Sequence, residues 1–224
     1  MSYSSQVVTQ GQALLSSSRR PVGGGIKRTF DFAAACVAIV TLLPLFLACC
    51  LLIAVTSPGP VLFCHRRLGF GGREFCCLKF RTMQVDAERR LKEYLASNSE
   101  ARQEWETHHK LKSDPRITPV GQFLRRTSLD ELPQLFNVLM GDMSLVGPRP
   151  PVPREVALYS LADRRRLAVL PGITCIWQIS GRAEIDFPGQ VKLDVRYIET
   201  QSIWQDIKIL AKTIPAVASG SGAY

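Results

Sequence analysis

FAAACVAIVTLLPLFLACCLLIAV, residues 32–55, contains no charged side chain. A straight helix of that length rises about 36 Å at 1.5 Å per residue, enough for the roughly 30 Å of hydrocarbon in a bilayer. Two features set it apart from an ordinary crossing helix. Pro44 sits near its middle, where it removes a backbone hydrogen bond and bends the helix. Both flanks are basic: Arg19, Arg20, Lys27 and Arg28 before, and His65, Arg66, Arg67 and Arg73 after. Basic flanks favour the cytoplasmic side, so a crossing helix should be asymmetric. A re-entrant hairpin that enters and leaves one leaflet satisfies both flanks. Residues 26–57 are therefore expected to form a re-entrant helix-break-helix, with a simple spanning helix as the alternative. The stretch is too long for a cleavable signal, and Ser57-Pro58-Gly59-Pro60 offers no small-residue cleavage site.

Outward from this segment, residues 1–25 are rich in Ser, Gln and Gly and read as a disordered tail. Residues 58–224 read as a catalytic domain. Within it, residues 60–83 predict a β-hairpin turning at Gly69-Phe70-Gly71-Gly72. Those glycines lack the following Gly-Lys-Ser/Thr of a phosphate loop. Residues 86–106 predict a charged, solvated helix. Leu132, Leu135, Phe136, Leu139 and Met140 recur with helical spacing, with Pro133 suited to the first turn and Gly141 to the stop. Trp204, Ile207, Leu210 and Ile214 form a late apolar stripe opposite Lys208 and Lys212, suited to a membrane surface or to core packing. The expected fold is α/β but mainly helical, a single compact domain with a small β-hairpin and interfacial amphipathic helices.

The net charge of +9 attracts anionic lipid, nucleotide phosphate or nucleic acid, and charge alone does not choose among them. Seven cysteines, an odd number with no Cys-x-x-Cys pair, argue against zinc and against a disulfide framework. They fit a reducing, cytoplasmic setting.

The chemistry-bearing run is Arg125-Arg126-Thr127-Ser128-Leu129-Asp130-Glu131-Leu132-Pro133, followed by Gly141-Asp142-Met143-Ser144-Leu145-Val146-Gly147-Pro148-Arg149-Pro150. Two adjacent acids can supply a nucleophile and a metal ligand, and arginines can hold phosphate. In isolation an Asp-Glu pair at a helix start is more often a cap. Likewise Arg149 reads alone as a turn residue, Lys79 and Arg81 as a solvated strand face, Asp114 and Arg116 as a local ion pair, and Asp194 as structural.

Taken together and in order, the motifs resemble the bacterial sugar transferases, the polyprenyl-phosphate hexose-1-phosphate transferases. The resemblance covers residues 26–224 and rests on Lys27-Arg28-Thr29-Phe30-Asp31-Phe32, Lys79-Phe80-Arg81-Thr82-Met83, Asp114-Pro115-Arg116-Ile117-Thr118, the two runs above, Pro171-Gly172-Ile173-Thr174, Trp177-Gln178-Ile179-Ser180-Gly181-Arg182 and Gly222-Ala223-Tyr224. It implies a monotopic enzyme, its membrane helix broken at Pro44, at the cytoplasmic face of the bacterial inner membrane. Such an enzyme moves hexose-1-phosphate from a UDP-sugar to undecaprenyl phosphate and releases UMP. The sugar is expected to be galactose or glucose, the pathway exopolysaccharide synthesis. By resemblance Asp130 is the covalent nucleophile and Glu131 the ligand of Mg²⁺. Arg125, Arg149 and Arg182 hold phosphate, with Lys79 and Arg81 as further candidates. Lys27 and Arg28 are placed to meet the lipid phosphate. No nucleic-acid partner is expected, and a homodimer stays open. One departure is Cys175, where the family usually has glycine; a left-handed backbone there would strain a cysteine.

Overall fold

In the computed structural model, which describes residues 24–108, 111–181 and 185–218, the chain is mainly helical around one hydrophobic core. Helix α1 (Gly24–Thr56) leads into a hairpin of β1 (Leu62–Leu68) and β2 (Glu74–Phe80). There follow α2 (Ala87–Ser97), α3 (Ser99–His108), α4 (Pro119–Arg126), α5 (Gln134–Met140), β3 (Ser144–Val146), α6 (Pro153–Val156), β4 (Gly172–Thr174), α7 (Phe187–Thr200) and α8 (Ile203–Ala218).

α1 is long and apolar enough to cross a membrane. It runs through Pro44 as one helix, without the interruption that the sequence led us to expect. One of its faces carries Ala35, Phe46, Cys49 and Ile53 into the same core as Leu124, Leu135 and Val138. The other leaves Val37, Val40, Leu43, Leu47, Leu51 and Val55 bare, a stripe no water-facing helix would keep. Phe46 lies edge-on to Phe80 of β2 and Phe136 of α5, each at 5.7 Å between ring centroids.

Both ends of α1 are tied to the same domain. At the start, Lys27 Nζ pairs with Asp206 of α8 at 2.7 Å and lies 3.5 Å from Asp31. Asp31 accepts from Ser144 Oγ at 2.8 Å and Leu145 N at 3.2 Å. Arg28 donates to the carbonyls of Val138 and Leu139, satisfying the free end of α5. Past the far end, Arg81 donates to the carbonyls of Ser57 at 2.6 Å and Pro58 at 2.9 Å.

The hairpin forms as the glycines predict: β1 and β2 pair antiparallel from Leu62↔Phe80 to Leu68↔Glu74, with Gly71 and Gly72 at positive φ in the turn. Its pairing brings the Cα atoms of Cys64 and Cys76 to 5.2 Å, and the two are joined as a disulfide. The odd count argued against a disulfide framework, and this is a single bridge; Cys36, Cys49, Cys50, Cys77 and Cys175 are free. The single charged helix expected over residues 86–106 is two helices, α2 and α3, parted at Asn98, which caps α3 through Oδ1 to Ala101 N. α5 stops at Gly141, whose φ of 94° suits the left-handed cap. Cys175 is not strained: among the described non-glycine residues only Ser128 has a positive φ. Its buried Sγ donates to Gln178 Oε1 at 3.0 Å.

A second, parallel pair joins β3 to β4. Ser144 N donates to Pro171 O at 2.8 Å, Gly147 N to Thr174 O at 3.0 Å, and Gly172 N to Pro148 O at 2.9 Å. The Gly147-Pro148-Arg149-Pro150 turn is thereby held against Pro171-Gly172-Ile173-Thr174. α8 shows both readings of its stripe. Asp206 and Ile209 face inward, whereas Trp204 and Ile214 are each 74% exposed.

Candidate active site

Three distant motifs meet where α4 ends. Thr118 caps α4 by accepting from Gly121 N at 2.9 Å, with Pro119 opening the helix. Thr118 N donates to Thr82 O at 3.0 Å, and Arg125 Nε donates to Thr82 Oγ1 at 2.9 Å. Lys-Phe-Arg-Thr-Met, Asp-Pro-Arg-Ile-Thr and the Arg125 run thus share Thr82 as a hub. After Arg126 the chain reverses through Ser128 at φ 55°, a left-handed serine costing on the order of 1 kcal/mol. A single tight turn, Leu129–Glu131, then presents both acids just ahead of α5. Strain held next to a pair of acids is typical of functional sites.

The acids differ in surroundings. Asp130 is 8% exposed, and burial pushes its carboxyl up to about 6, although Lys79 and Arg125 pull it down. Lys79 Nζ lies 3.7 Å from Asp130 Oδ2 and 2.6 Å from Glu131 Oε1. Burial opposes the charge on Glu131 too, but Lys79, Arg149 and Arg67 outweigh it and hold that carboxyl below its usual range. Lys79 reaches the pair because alternate side chains on β2 point oppositely: Phe80 enters the core and Lys79 turns to the acids. Lys79 is likewise kept charged by Glu131 and Asp130 against its burial.

Arg149 stands exposed on its turn and acts electrostatically on Glu131. Arg67 of β1, read from sequence only as a membrane flank, is buried and donates to Pro150 O at 3.1 Å, bracing that turn. Asn137, unremarked in the sequence, is fully buried; it accepts from Leu78 N at 2.9 Å and donates to Cys76 O at 2.7 Å, locking β2 onto α5. No sequence signal marks it: at helical spacing it falls off the apolar face marked by Leu132, Leu135, Phe136, Leu139 and Met140.

The structure therefore gathers Asp130, Glu131, Lys79, Arg125 and Arg149. It assigns Arg81, Lys27 and Arg28 elsewhere. Arg81 donates to the Ser57 and Pro58 carbonyls, and Lys27 and Arg28 fasten α1 to the domain. Lys27 and Arg81 are buried, where a cation persists only when paired or hydrogen-bonded, and half-buried Arg28 satisfies free carbonyls at the end of α5. Arg182 lies outside the described residues. Asp114 and Arg116 pair at 2.7 Å, and Asp194 pairs with buried Arg166 at 2.6 Å.

Two hard carboxylate donors fit Mg²⁺, which commonly takes one or two protein carboxylates plus substrate phosphate oxygens. The Lys79 ammonium already sits against both, so the pocket accepts a cation. Among the described residues no third His, Cys, Asp or Glu completes a closed metal cage.

A buried Asp130 beside a half-buried Glu131, flanked by Lys79 and arginines, on a domain fastened to an apolar helix of membrane length, fits a membrane-associated transferase equipped for phosphorylated substrates. The chain belongs to the bacterial sugar transferase family, whose pattern it matches over residues 22–220. It is 46% identical over 205 residues to the exopolysaccharide production protein ExoY of Sinorhizobium fredii, spanning 92% of this chain and 91% of that one. It is 47% identical over 200 residues to an undecaprenyl-phosphate galactose phosphotransferase of Salmonella typhimurium, spanning 89% of this chain and 42% of that one. It is 44% identical over 199 residues to an undecaprenyl-phosphate glucose phosphotransferase of Komagataeibacter xylinus, spanning 84% and 35%.

Proposed function

We propose that this chain transfers hexose-1-phosphate, galactose or glucose being the hexose, from a UDP-sugar to undecaprenyl phosphate in the first membrane step of exopolysaccharide synthesis. The observation that carries the reading is Asp130: a buried carboxylate with a raised pKa, flanked by Lys79 and Arg125. An Asp130 oxygen attacks the sugar-bearing phosphorus of the donor. The bond from that phosphorus to the bridging oxygen breaks, and UMP leaves with the electron pair. An oxygen of the lipid phosphate then attacks the same phosphorus, the bond to Asp130 breaks, and the carboxylate is restored. Two half-reactions let one site serve a soluble donor and a lipid-bound acceptor in turn.

Positioning and charge neutralisation supply most of the catalysis in such transfers. Lys79, Arg125 and Arg149 offset the charge of the phosphates, which otherwise repel the attacking carboxylate. Mg²⁺, held by Glu131 and donor oxygens, would add Lewis-acid neutralisation of the pyrophosphate.

The membrane arrangement we read is re-entrant, with α1 unbroken but bent at Pro44 so that residues 26–57 stay in one leaflet, residues 58–224 at the cytoplasmic face of the inner membrane, and 1–25 as a tail. Attachment of both ends of α1 to one domain supports it, because a helix crossing roughly 30 Å of hydrocarbon could dock there at one end only. The test of function is UMP release by the full chain in detergent with undecaprenyl phosphate, Mg²⁺ and a UDP-hexose panel. Turnover beyond the one equivalent of UMP that the first half-reaction releases should require the lipid and one preferred donor, and all release should vanish in Asp130→Asn. Near-normal turnover by that variant would overturn the role of Asp130.

A further inference from the structure

Lys79 does more than meet phosphate. Its ammonium is bonded to Glu131 and lies within reach of Asp130, so it occupies the cation position of the pair before any substrate arrives. The same position offers a metal two carboxylates and, among the described residues, no third acidic, His or Cys ligand. The ammonium cannot be released cheaply into its surroundings: its side chain is only 22% exposed, and Arg67, Arg125 and Arg149 already make the neighbourhood positive. A divalent ion entering alone would face that ammonium at short range with an incomplete ligand set.

We infer that Lys79 is a built-in counter-ion that reserves the acidic pair, so that a divalent metal binds only in company with a pyrophosphate. The inference rests on the function proposed above. The donor pyrophosphate brings both missing elements, oxygen ligands for the metal and negative charge for Lys79 to move onto. Metal and donor therefore enter together, and without the donor Lys79 keeps the site metal-free.

The test is Mn²⁺ binding, followed by electron paramagnetic resonance, to the full chain in phosphatidylcholine nanodiscs. Wild type, Lys79→Met, Lys79→Arg and the double variant Lys79→Met/Glu131→Gln are compared with and without UDP-galactose and UDP-glucose. Wild type and Lys79→Arg should bind Mn²⁺ weakly alone and at least about tenfold more tightly with a donor. Lys79→Met should bind it at least about tenfold more tightly than wild type without donor, and Glu131→Gln should abolish that gain. Thermal melting shows whether each variant is folded, and Lys79→Arg reports independently should Lys79→Met fail to fold, since strong donor-free binding by a chain that keeps the cation contradicts the inference. Tight donor-free binding by wild type, or no gain in folded Lys79→Met, would overturn it while leaving the proposed activity standing. No Mn²⁺ binding by any chain even with donor would overturn it together with the metal role of Glu131.

Discussion

Lys27 and Asp206, 179 positions apart in the sequence, are joined by an ion pair of 2.7 Å in which both side chains are buried. It ties the first turns of the membrane helix to the last helix of the chain. Asp31 lies 3.5 Å from the same ammonium and receives Ser144 Oγ and Leu145 N, and Tyr197 Oη donates to Asp206 Oδ1 at 2.8 Å. The start of α1 is therefore part of the polar interior of the domain.

Removing the cation leaves two buried carboxylates facing each other. Lys27→Met should destabilise the fold by about 3–5 kcal/mol, the usual cost of breaking a buried pair from one side. Thermal unfolding in detergent checks it, and Lys27→Met/Asp206→Leu should recover part of the loss. An unchanged melting temperature in the single variant would show that the pair is not structural.

In the proposed reaction Asp130 attacks as the carboxylate, and burial raises its pKa to about 6. kcat/KM should therefore fall about tenfold per pH unit below about 6 and level off above it. Lys79 lowers that pKa, so Lys79→Gln should move the acidic limb to higher pH as well as reduce the plateau. A limb near pH 4, or one that does not move in the variant, would contradict the environment described for Asp130.

The same carboxyl costs stability. Its pKa is about 6 folded against 3.8 for the free group, so the folded state holds the proton more tightly. The cost of ionising it is absent below about pH 4, grows between 4 and 6, and is complete above 6. Asp130→Asn should therefore stabilise the fold at pH 7 by on the order of 2–3 kcal/mol while removing activity, and the gain should shrink towards zero at pH 4. Melting curves at the two pH values read both signs.

Gly172 has no room for a side chain: an added Cβ would meet Gly147 N at 2.0 Å and Gly147 O at 2.6 Å, both backbone atoms. Gly172→Ala must push apart the two loops that present Arg149, and should cost about 3 kcal/mol or more of stability and most of the activity. Gly71→Ala has open space around it but sits at φ 67°, so it should cost only about 1 kcal/mol and leave turnover near normal. Equal effects would refute the close-approach argument.

Local pattern carried much of the fold. The hairpin over residues 60–83, the α5 stop at Gly141 and the acids poised before that helix follow from turn glycines and helical spacing, and all appear where the sequence places them. The candidate site was legible as Asp130, Glu131, Lys79, Arg125 and Arg149 because their motifs are specific in combination. What the sequence could not reveal is the destination of cations whose partners lie far away. Lys27 and Arg28 read as lipid-facing because an apolar run follows them, yet their partners stand 179 and 110 positions on. Arg81 belongs to a site motif but is captured by carbonyls just past α1, and Arg67 looked like a flank until folding put it behind Pro150. The Cys64–Cys76 bridge was hidden by an odd cysteine count, which says nothing about a single pair brought together by a hairpin register.

The central claim is that Asp130 carries the sugar phosphate covalently between two half-reactions. The most direct measurement is exchange of labelled UMP into UDP-galactose or UDP-glucose by the full chain with Mg²⁺ and no lipid acceptor. Exchange by wild type with one preferred donor, absent in a folded Asp130→Asn variant, is the expected result. No exchange with either donor, from protein that does release UMP once undecaprenyl phosphate is added, would mean direct transfer in a ternary complex and would contradict the covalent role of Asp130.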